Sequence, residues 1–429
     1  MVEEINVVVK EPKTFKQQLK PIIYLSWLMG TGMCRPDDWR KLTTLIKLFH
    51  FTMCSVVVTY GIIDFFTIGT ILKSEMFKIM YYTNKAVVYV TSYYYVFLGV
   101  FHYKKWKRFV ERIDLLDKKI HREISMKNRS TIVHQIMALA VTALIGPLSL
   151  ISHVVYYYFV DPSLIFASDV LLYYTIAQSL STNFCFDVIV LAVYQRFKTV
   201  NRIIKQIGDS YTAPWIVLKI QRLKEVHYGI CGLVGIVNNA HGIHLLLSSA
   251  NSFMMVVATL FRIYIGVVES QFGFIMINNV IWIVYAMQFA LNCYVCTITS
   301  REAARTGILI HEVGLKNNQL TNKRLYGGSI AGSRRSLSYQ PETKTYEGTC
   351  IQNEIMQFSS QLQQNQVAFS ACEFFVLNNS LFQGFIGVIT TYLIILIQFY
   401  RPPENNEKLQ TIPEIATLNV TEPQFSIGD

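Results

Sequence analysis

Charge is scarce in this chain. Only 16% of its 429 residues are Asp, Glu, Lys or Arg, against 52% hydrophobic, and the mean hydropathy is +0.32. A soluble chain of this length carries about a quarter charged residues, so the balance argues against a soluble multidomain protein and for a polytopic membrane protein. Acidic residues are the scarcer sign, 28 against 39 basic ones, for a net charge of +11. No basic stripe with interleaved aromatics lies on a soluble domain, so nucleic acid is not expected as a partner. Cysteines are few and scattered (Cys34, Cys54, Cys185, Cys231, Cys293, Cys296, Cys350 and Cys372), mostly in or beside apolar runs, where a thiol acts as a small hydrophobe. A disulfide framework is not expected. Cys293-x-x-Cys296 lies inside an apolar helix without a second ligand pair, so no metal or cofactor is expected either. Nucleophile-base pairs and phosphate-binding loops are also missing, which argues against an enzyme. The segment Met1 to Lys20 lacks an apolar core beside a small-residue cleavage site; no cleaved signal peptide is expected, and the first spanning helix must direct insertion.

What the chain does have is long apolar runs. Seven reach membrane-spanning length: Leu48 to Leu72, Ile79 to Phe101, Ile132 to Phe159, Leu164 to Tyr194, His244 to Val268, Phe272 to Ile298, and one ending near Tyr400. They predict an all-α polytopic membrane protein with seven transmembrane helices. Basic residues sort by connection: 8 up to Lys47, 10 in Tyr103 to Ser130, 7 in Gln195 to Tyr228 and 8 in Arg301 to Asn365, which is 33 of the 39. By the positive-inside rule the N-terminus is cytoplasmic and the C-terminus extracellular. A G-protein-coupled receptor has the opposite orientation, and neither an Asp/Glu-Arg-Tyr motif at a third span nor an Asn-Pro-x-x-Tyr motif in a seventh is found. No pair of Gly/Pro-broken helices recurs in two halves, as an inverted-repeat transporter would show. A metabotropic seven-helix receptor and a secondary transporter stay as the alternatives.

The organisation expected is a cytoplasmic N-terminal segment, 1–47, then spans one to four, 48–194. Cytoplasmic helical extensions of helices four and five follow, 195–243, because Val200, Ile203, Ile204, Ile207, Ile220 and Leu223 recur near helical spacing between basic residues. Spans five and six occupy 244–300. Cytoplasmic anchor helices occupy 301–380, with an insert near 321–349, rich in Gly, Ser, Lys and Arg, read as disordered. Arg334-Arg335-Ser336-Leu337-Ser338 in that insert resembles a basic-directed phosphorylation site. A seventh span at 381–400 and an extracellular tail at 401–429 complete the chain, and Asn419-Val420-Thr421 in the tail is a glycosylation sequon.

The last apolar run, Phe369 to Tyr400, would be about 50 Å long as one helix, more than a hydrocarbon core of about 30 Å. Asn378, Asn379, Ser380, Gly384 and Gly387 interrupt it, which predicts a split seventh helix with a cytoplasmic part, Phe369 to Leu377, and a membrane part, Leu381 to Phe399. The membrane part ends Thr391-Tyr392, five apolar residues, Gln398-Phe399. This resembles the C-terminal signature of insect gustatory receptors, relatives of the insect odorant receptors. The Phe-Ser/Thr-Ala-Cys-Gly stretch that precedes the signature stands here as Phe369-Ser370-Ala371-Cys372-Glu373. Glu373 departs from the usual Gly, and the chain continues well past Phe399. The resemblance implies a tastant-gated, non-selective cation channel in the plasma membrane of chemosensory neurons, without a cofactor. It implies a homotetramer, or a heteromer with other gustatory receptors, whose partners are a small-molecule tastant, permeant cations and membrane lipid. The four seventh helices would line the pore, and the ligand would enter the extracellular half of the first six.

Thr391, Ile395 and Gln398 fall on one helical face, with Phe399 beside them. Four apolar side chains can close a pore by dewetting, and an amide can solvate a passing cation without fixing a charge. These four residues are the candidate pore and gate, against the plainer alternative that the apolar run faces lipid and Gln398 sits at the membrane edge. In the halves of the spans open to the outside, the candidate ligand residues are Tyr89, Tyr174, Glu269, Asn279, Trp282, Tyr285 and Gln288, many tyrosines there also fitting an interfacial belt. Asp64, Lys85, Asp169, Arg262 and Glu269 are costly in lipid and should face the bundle interior or water. Trp282, Tyr285 and Gln288 share one face and offer a stacking surface with a hydrogen-bonding amide. Sugar against bitter ligand stays open, with a lean toward non-sugar members from Phe374 to Asn378.

Overall fold

The structure is a computed structural model that describes residues 17, 19–31, 40–71, 75–101, 103–122, 167–207, 213–268, 272–327 and 341–400, with single positions between 133 and 159. The described residues form nine helices: α1 (Lys20–Leu28), α2 (Arg40–Ile71), α3 (Glu75–Phe101), α4 (Tyr103–His121), α5 (Ala167–Gln206), α6 (Ala213–Val268), α7 (Phe272–Gly327), α8 (Pro341–Gln364) and α9 (Asn379–Phe399). Between α8 and α9 stand two short strands, β1 (Ser370–Ala371) and β2 (Phe375–Val376). The protein is thus a helical membrane protein. Among the described residues, five helices are long and apolar enough to cross a bilayer, in α2, α5, α6, α7 and α9; α3, the second expected span, is rich in tyrosine and is not among them. The expected third span lies almost wholly outside the described residues.

Helix length follows from the absence of breakers. α6 and α7 each run 56 residues with no proline beyond Pro214 in the first turn, and a first-turn proline loses no intrahelical bond. At 1.5 Å per residue each is about 84 Å long, so more than half of each must project beyond a hydrocarbon core of about 30 Å. α7 reaches Gly327 and α8 starts at Pro341. Helix therefore enters the 321–349 insert from both sides, where disorder was expected, and 328–340 lie outside the described residues.

α5 is the central post. Its apolar stretch is buried throughout and packs against α7, α6, α2 and α1. A helix buried on every face has no polar side to give to solvent, and its polar residues Ser179, Ser181, Thr182, Asn183 and Asp187 are all interior. α1 is held to this post. Its C-terminus closes with Gly30 at φ +74°, Thr31 N donating to Ser26 O at 3.0 Å and Gly30 N to Trp27 O at 3.1 Å, the left-handed stop that glycine takes without a Cβ penalty. A Cβ at Gly30 would stand 2.4 Å from His50 Cδ2. His50 Nε2 donates to Leu28 O at 2.8 Å, which leaves Nδ1 to accept from Tyr174 Oη, while Gln178 Nε2 donates to Tyr174 Oη and to Met29 O. This knot ties the N-terminal helix to α2 and α5.

At the projecting end, charged side chains pair across helices. Arg196, 2% exposed, donates through Nε and Nη2 to the two Asp117 oxygens at 2.8 and 2.6 Å and through Nη1 to Ala192 O. Asn201 Nδ2 donates to Glu302, and Thr306 Oγ1 donates to Asn201 Oδ1. Glu354 of α8 accepts from Lys224 Nζ at 2.9 Å and from Gln221 Nε2 at 2.8 Å on α6. Burial raises the pKa of the Glu354 carboxyl, but the bonds from Gln221 and Lys224 and the Lys224 charge outweigh it, and the net shift is downward.

Candidate ligand site and pore helix

The segment Phe369 to Leu377, expected as the inner part of the last helix, is a β-hairpin. Ser370 pairs with Val376 and Ala371 with Phe375, and Leu377 N donates to Phe369 O at 2.8 Å. Its turn places both Cys372 (φ 49°) and Glu373 (φ 64°) in the left-handed region. Glu373, where the family resemblance has Gly, thus occupies a backbone conformation that favours glycine. The hairpin is clamped to α6: Asn238 Nδ2 donates to Ala368 O at 2.8 Å and Asn238 Oδ1 accepts from Ser370 N at 3.3 Å. Its turn lies close on Gly242, where a Cβ would meet Cys372 N at 3.1 Å. From the hairpin, Asn378 caps α9 by accepting from Leu381 N at 2.8 Å. Thr297 of α7 then fixes the start of α9, accepting from Asn379 N at 3.0 Å and donating to Asn379 Oδ1 at 3.1 Å.

α9 is mostly apolar, yet Ile389 is its one buried residue. An apolar helix left uncovered by its own chain must be covered by lipid or by another protein surface. The helix packs through aromatics: Phe385 lies 4.5 Å from Phe289 of α7 and 6.1 Å from Phe253 of α6, ring centroid to ring centroid, and Tyr392 lies edge-on to Phe253 at 5.6 Å. At the far end Tyr400 sits against Phe261 and Tyr264. Thr391, Ile395, Gln398 and Phe399 are all exposed, and Thr391 Oγ1 donates back to Gly387 O at 3.0 Å. All four signature residues are exposed, and Tyr392 differs from Thr391, Gln398 and Phe399 in that its ring also meets Phe253 of α6.

Deeper in the bundle a polar layer runs across α5, α6 and α7. Asn183 Nδ2 donates to Ser248 Oγ at 2.9 Å and to Ser179 O at 3.0 Å. Gln288 Nε2 donates to Ser179 O at 3.2 Å, and Asn251 Nδ2 donates to Tyr285 Oη at 3.3 Å. Asn292 lies between Asn183 and Asp187. Its amide donates to Asn183 Oδ1 at 2.8 Å or, turned over, to the two Asp187 oxygens at 3.0 and 3.1 Å. Four buried amide oxygens, Asn84 Oδ1, Gln178 Oε1, Asn251 Oδ1 and Gln288 Oε1, have no hydrogen-bond partner among the described residues, and those of Asn251 and Gln288 lie in this layer. A buried polar atom left open costs free energy, so these acceptors are where a donor group from water or a ligand is most favoured.

Of the ligand candidates read from the sequence, Tyr285 and Gln288 lie in this layer. Trp282 Nε1 donates to Asn279 Oδ1 at 3.0 Å on the same helix. Tyr89 packs half-buried against the core, and Tyr174 belongs to the α1 knot. Lys85 is buried with its ammonium 5.1 Å from the Tyr81 ring, and Arg262 is half-buried. Glu269 and Asn419 lie outside the described residues, as do the side chains of Asp64 and Asp169. Sequence reasoning passed over Asp187, a lone acid in the apolar run Phe184-Cys185-Phe186-Asp187-Val188. That setting was itself the signal, since an ionisable residue within a span marks a functional or structural site.

Comparison with known proteins bears on these features. The model of a family described as 7tm chemosensory receptor matches residues 19–327 and 342–400. A putative gustatory receptor 2a of Drosophila melanogaster is 25% identical over 215 residues, 49% of this chain and 47% of that protein. The chain therefore spans about half the length of the curated relative it matches. Two solved structures of the insect olfactory receptor OR5 from Machilis hrabei share the fold, with TM-scores of 0.59 at 13% identity and, for the complex with eugenol, 0.60 at 14%. Each match covers 90% of this chain and 98% of that one.

Proposed function

The chain belongs to the 7tm chemosensory receptor family, and we propose that it is a gustatory receptor acting as a tastant-gated, non-selective cation channel. In this reading four copies surround a central pore, each contributing α9, with the N-terminus in the cytoplasm and the C-terminus outside. The observation that carries it is the uncovered surface of α9: the helix is mostly apolar, buried only at Ile389, and held at both ends by Thr297 and by the Tyr400 cluster. Its open face carries Gly387, Thr391, Ile395 and Gln398 at helical spacing. A purely lipid-facing helix would gain nothing from a Thr and a Gln there, whereas a pore gains an amide that can replace part of a cation's hydration shell. Phe399 and Ile395 are the gate in this account. The likeness to a gustatory relative and to an olfactory receptor solved with eugenol supports a small organic ligand.

The ligand enters, in this account, above the polar layer of α5, α6 and α7. The open oxygens of Gln288 and Asn251 beside Tyr285 suit a compact ligand with a hydroxyl donor on an aromatic or otherwise apolar body, which favours a non-sugar tastant. The chain expressed alone in cells lacking a G-protein cascade should give ligand-evoked cation currents. Gln398→Ala should change permeation ratios, and Gln288→Leu should raise the half-activating concentration about tenfold or more, as the loss of one buried hydrogen bond worth about 1.5 kcal/mol implies. Currents that require the cascade and ignore Gln398→Ala would leave the metabotropic alternative standing instead.

A further inference from the structure

At the projecting tip, where α4 and α5 end and α6 begins, lies a pocket of about 260 Å³. Among the described residues, Lys119, Arg122, Lys219 and Arg222 line it with one acid, Glu225, over a floor of Ile120, Ile203, Leu223 and Val226. Glu225 is 3.5 Å from Lys119, so among the described residues the lining sets four basic side chains against one acid. Lys219 lies with its ammonium 4.8 Å from the centroid of the Trp215 ring, an arrangement that orders the long side chain. Lys219 and Arg222 stand one turn apart on α6, a like-charge spacing that costs free energy on its own. Floor and rim come from three separate helices, so these cations converge on one concave site and do not simply decorate one solvated face. Near 260 Å³ the pocket is below the range of about 300 to 1,000 Å³ typical of drug-sized ligands. It suits a small, highly charged anion, and the guanidinium forks match phosphate oxygens in geometry.

We propose that this pocket binds a soluble polyphosphate anion. Phosphate could also come from a lipid headgroup, but position favours the soluble source. From His244, where the fifth span is expected to begin, to Arg222 is about 33 Å along α6, deeper than a headgroup at the bilayer surface reaches. The occupant would bridge the ends of α4 and α5 to the start of α6, bracing the part of the molecule from which the long helices rise.

The test uses the purified full-length protein in phosphate-free detergent solution, titrated with inorganic tripolyphosphate by calorimetry and thermal unfolding. Saturable binding at one site per chain is expected, with a melting temperature that rises with concentration and an affinity that falls steeply with added salt. The Lys219→Gln/Arg222→Gln double variant should bind at least tenfold more weakly, Lys219→Arg should keep the affinity, and Lys107→Gln, on α4 outside the pocket, should not change it. Should the double variant fail to fold, Lys119→Gln reads the same loss singly. Absence of saturable binding to the wild type, or equal binding by the double variant, would overturn the proposal. Capture of the protein by phosphoinositide-containing vesicles that tripolyphosphate does not compete away would assign the pocket to a lipid and overturn the soluble source.

Discussion

Glu373 shows how one residue can be visible in a sequence while its consequence is not. The departure from glycine is plain in the string, but only the hairpin shows that the position has φ 64°. A left-handed L-residue costs about 1 to 2 kcal/mol, so Glu373→Gly should stabilise the protein by about 1 kcal/mol, read as a higher melting temperature in detergent. Gly30 is the converse. Gly30→Ala should destabilise by at least about 1 kcal/mol from its φ of +74° alone, and further because the new methyl displaces His50 from Leu28 O. Glu354 gives a pH dependence of defined sign. Its pKa is depressed in the folded state, so its contribution is present above the ordinary glutamate value and is lost as the pH falls through the folded one. Between α6 and α8 the acid limb of the stability profile should therefore flatten in Glu354→Gln, measured by melting temperature from neutral pH downward. Asp187 was legible in principle, as a lone acid in an apolar span; its partner Asn292 was not, because it comes from another helix.

At the scale of elements, what could be read depended on length. Apolar runs of twenty and more residues and the periodic Val200 to Val226 stretch translate into α5, α6 and α7 because nothing in them breaks a helix. The hairpin escaped because its strands have two residues each, too short for an alternating pattern, and because its turn chemistry departs from the usual glycine. It exists through its clamp on α6, and Asn238→Ala, which removes both bonds to Ala368 and Ser370, should raise amide exchange in 369–377 while leaving α6 protected. A second element-scale prediction concerns α4. Asp117→Ala leaves Arg196, 2% exposed, without its carboxylate, and stranding a buried charge costs about 3 kcal/mol or more; unfolding of the purified variant should show it. Residues 321–327 and 341–349 carry so many polar residues that composition pointed to disorder, but they join regular helices whose ends they extend.

For the whole molecule, topology decides how the parts are used. If the tail is outside, Asn419 should be glycosylated in cells and an epitope placed there should be reached without permeabilisation; an unmodified, shielded tail would remove the support that the basic-residue distribution gives to the channel. Composition and hydropathy were enough to establish a helical membrane protein, because burying charge in lipid is expensive whatever the fold. The candidate site was less legible, since which side chains meet across α5, α6 and α7 depends on helix rotation that no one-dimensional pattern carries. α6 and α7 reach from the extramembrane tip to the far end of the bundle as single rods. A rod pivoting near its middle behaves as a lever: a tilt of a few degrees at a ligand shifts its distant end by ångströms, and with no proline past the first turn and no loop to absorb the swing, the hairpin seated on α6 and the Thr297 contact on α7 must travel with it.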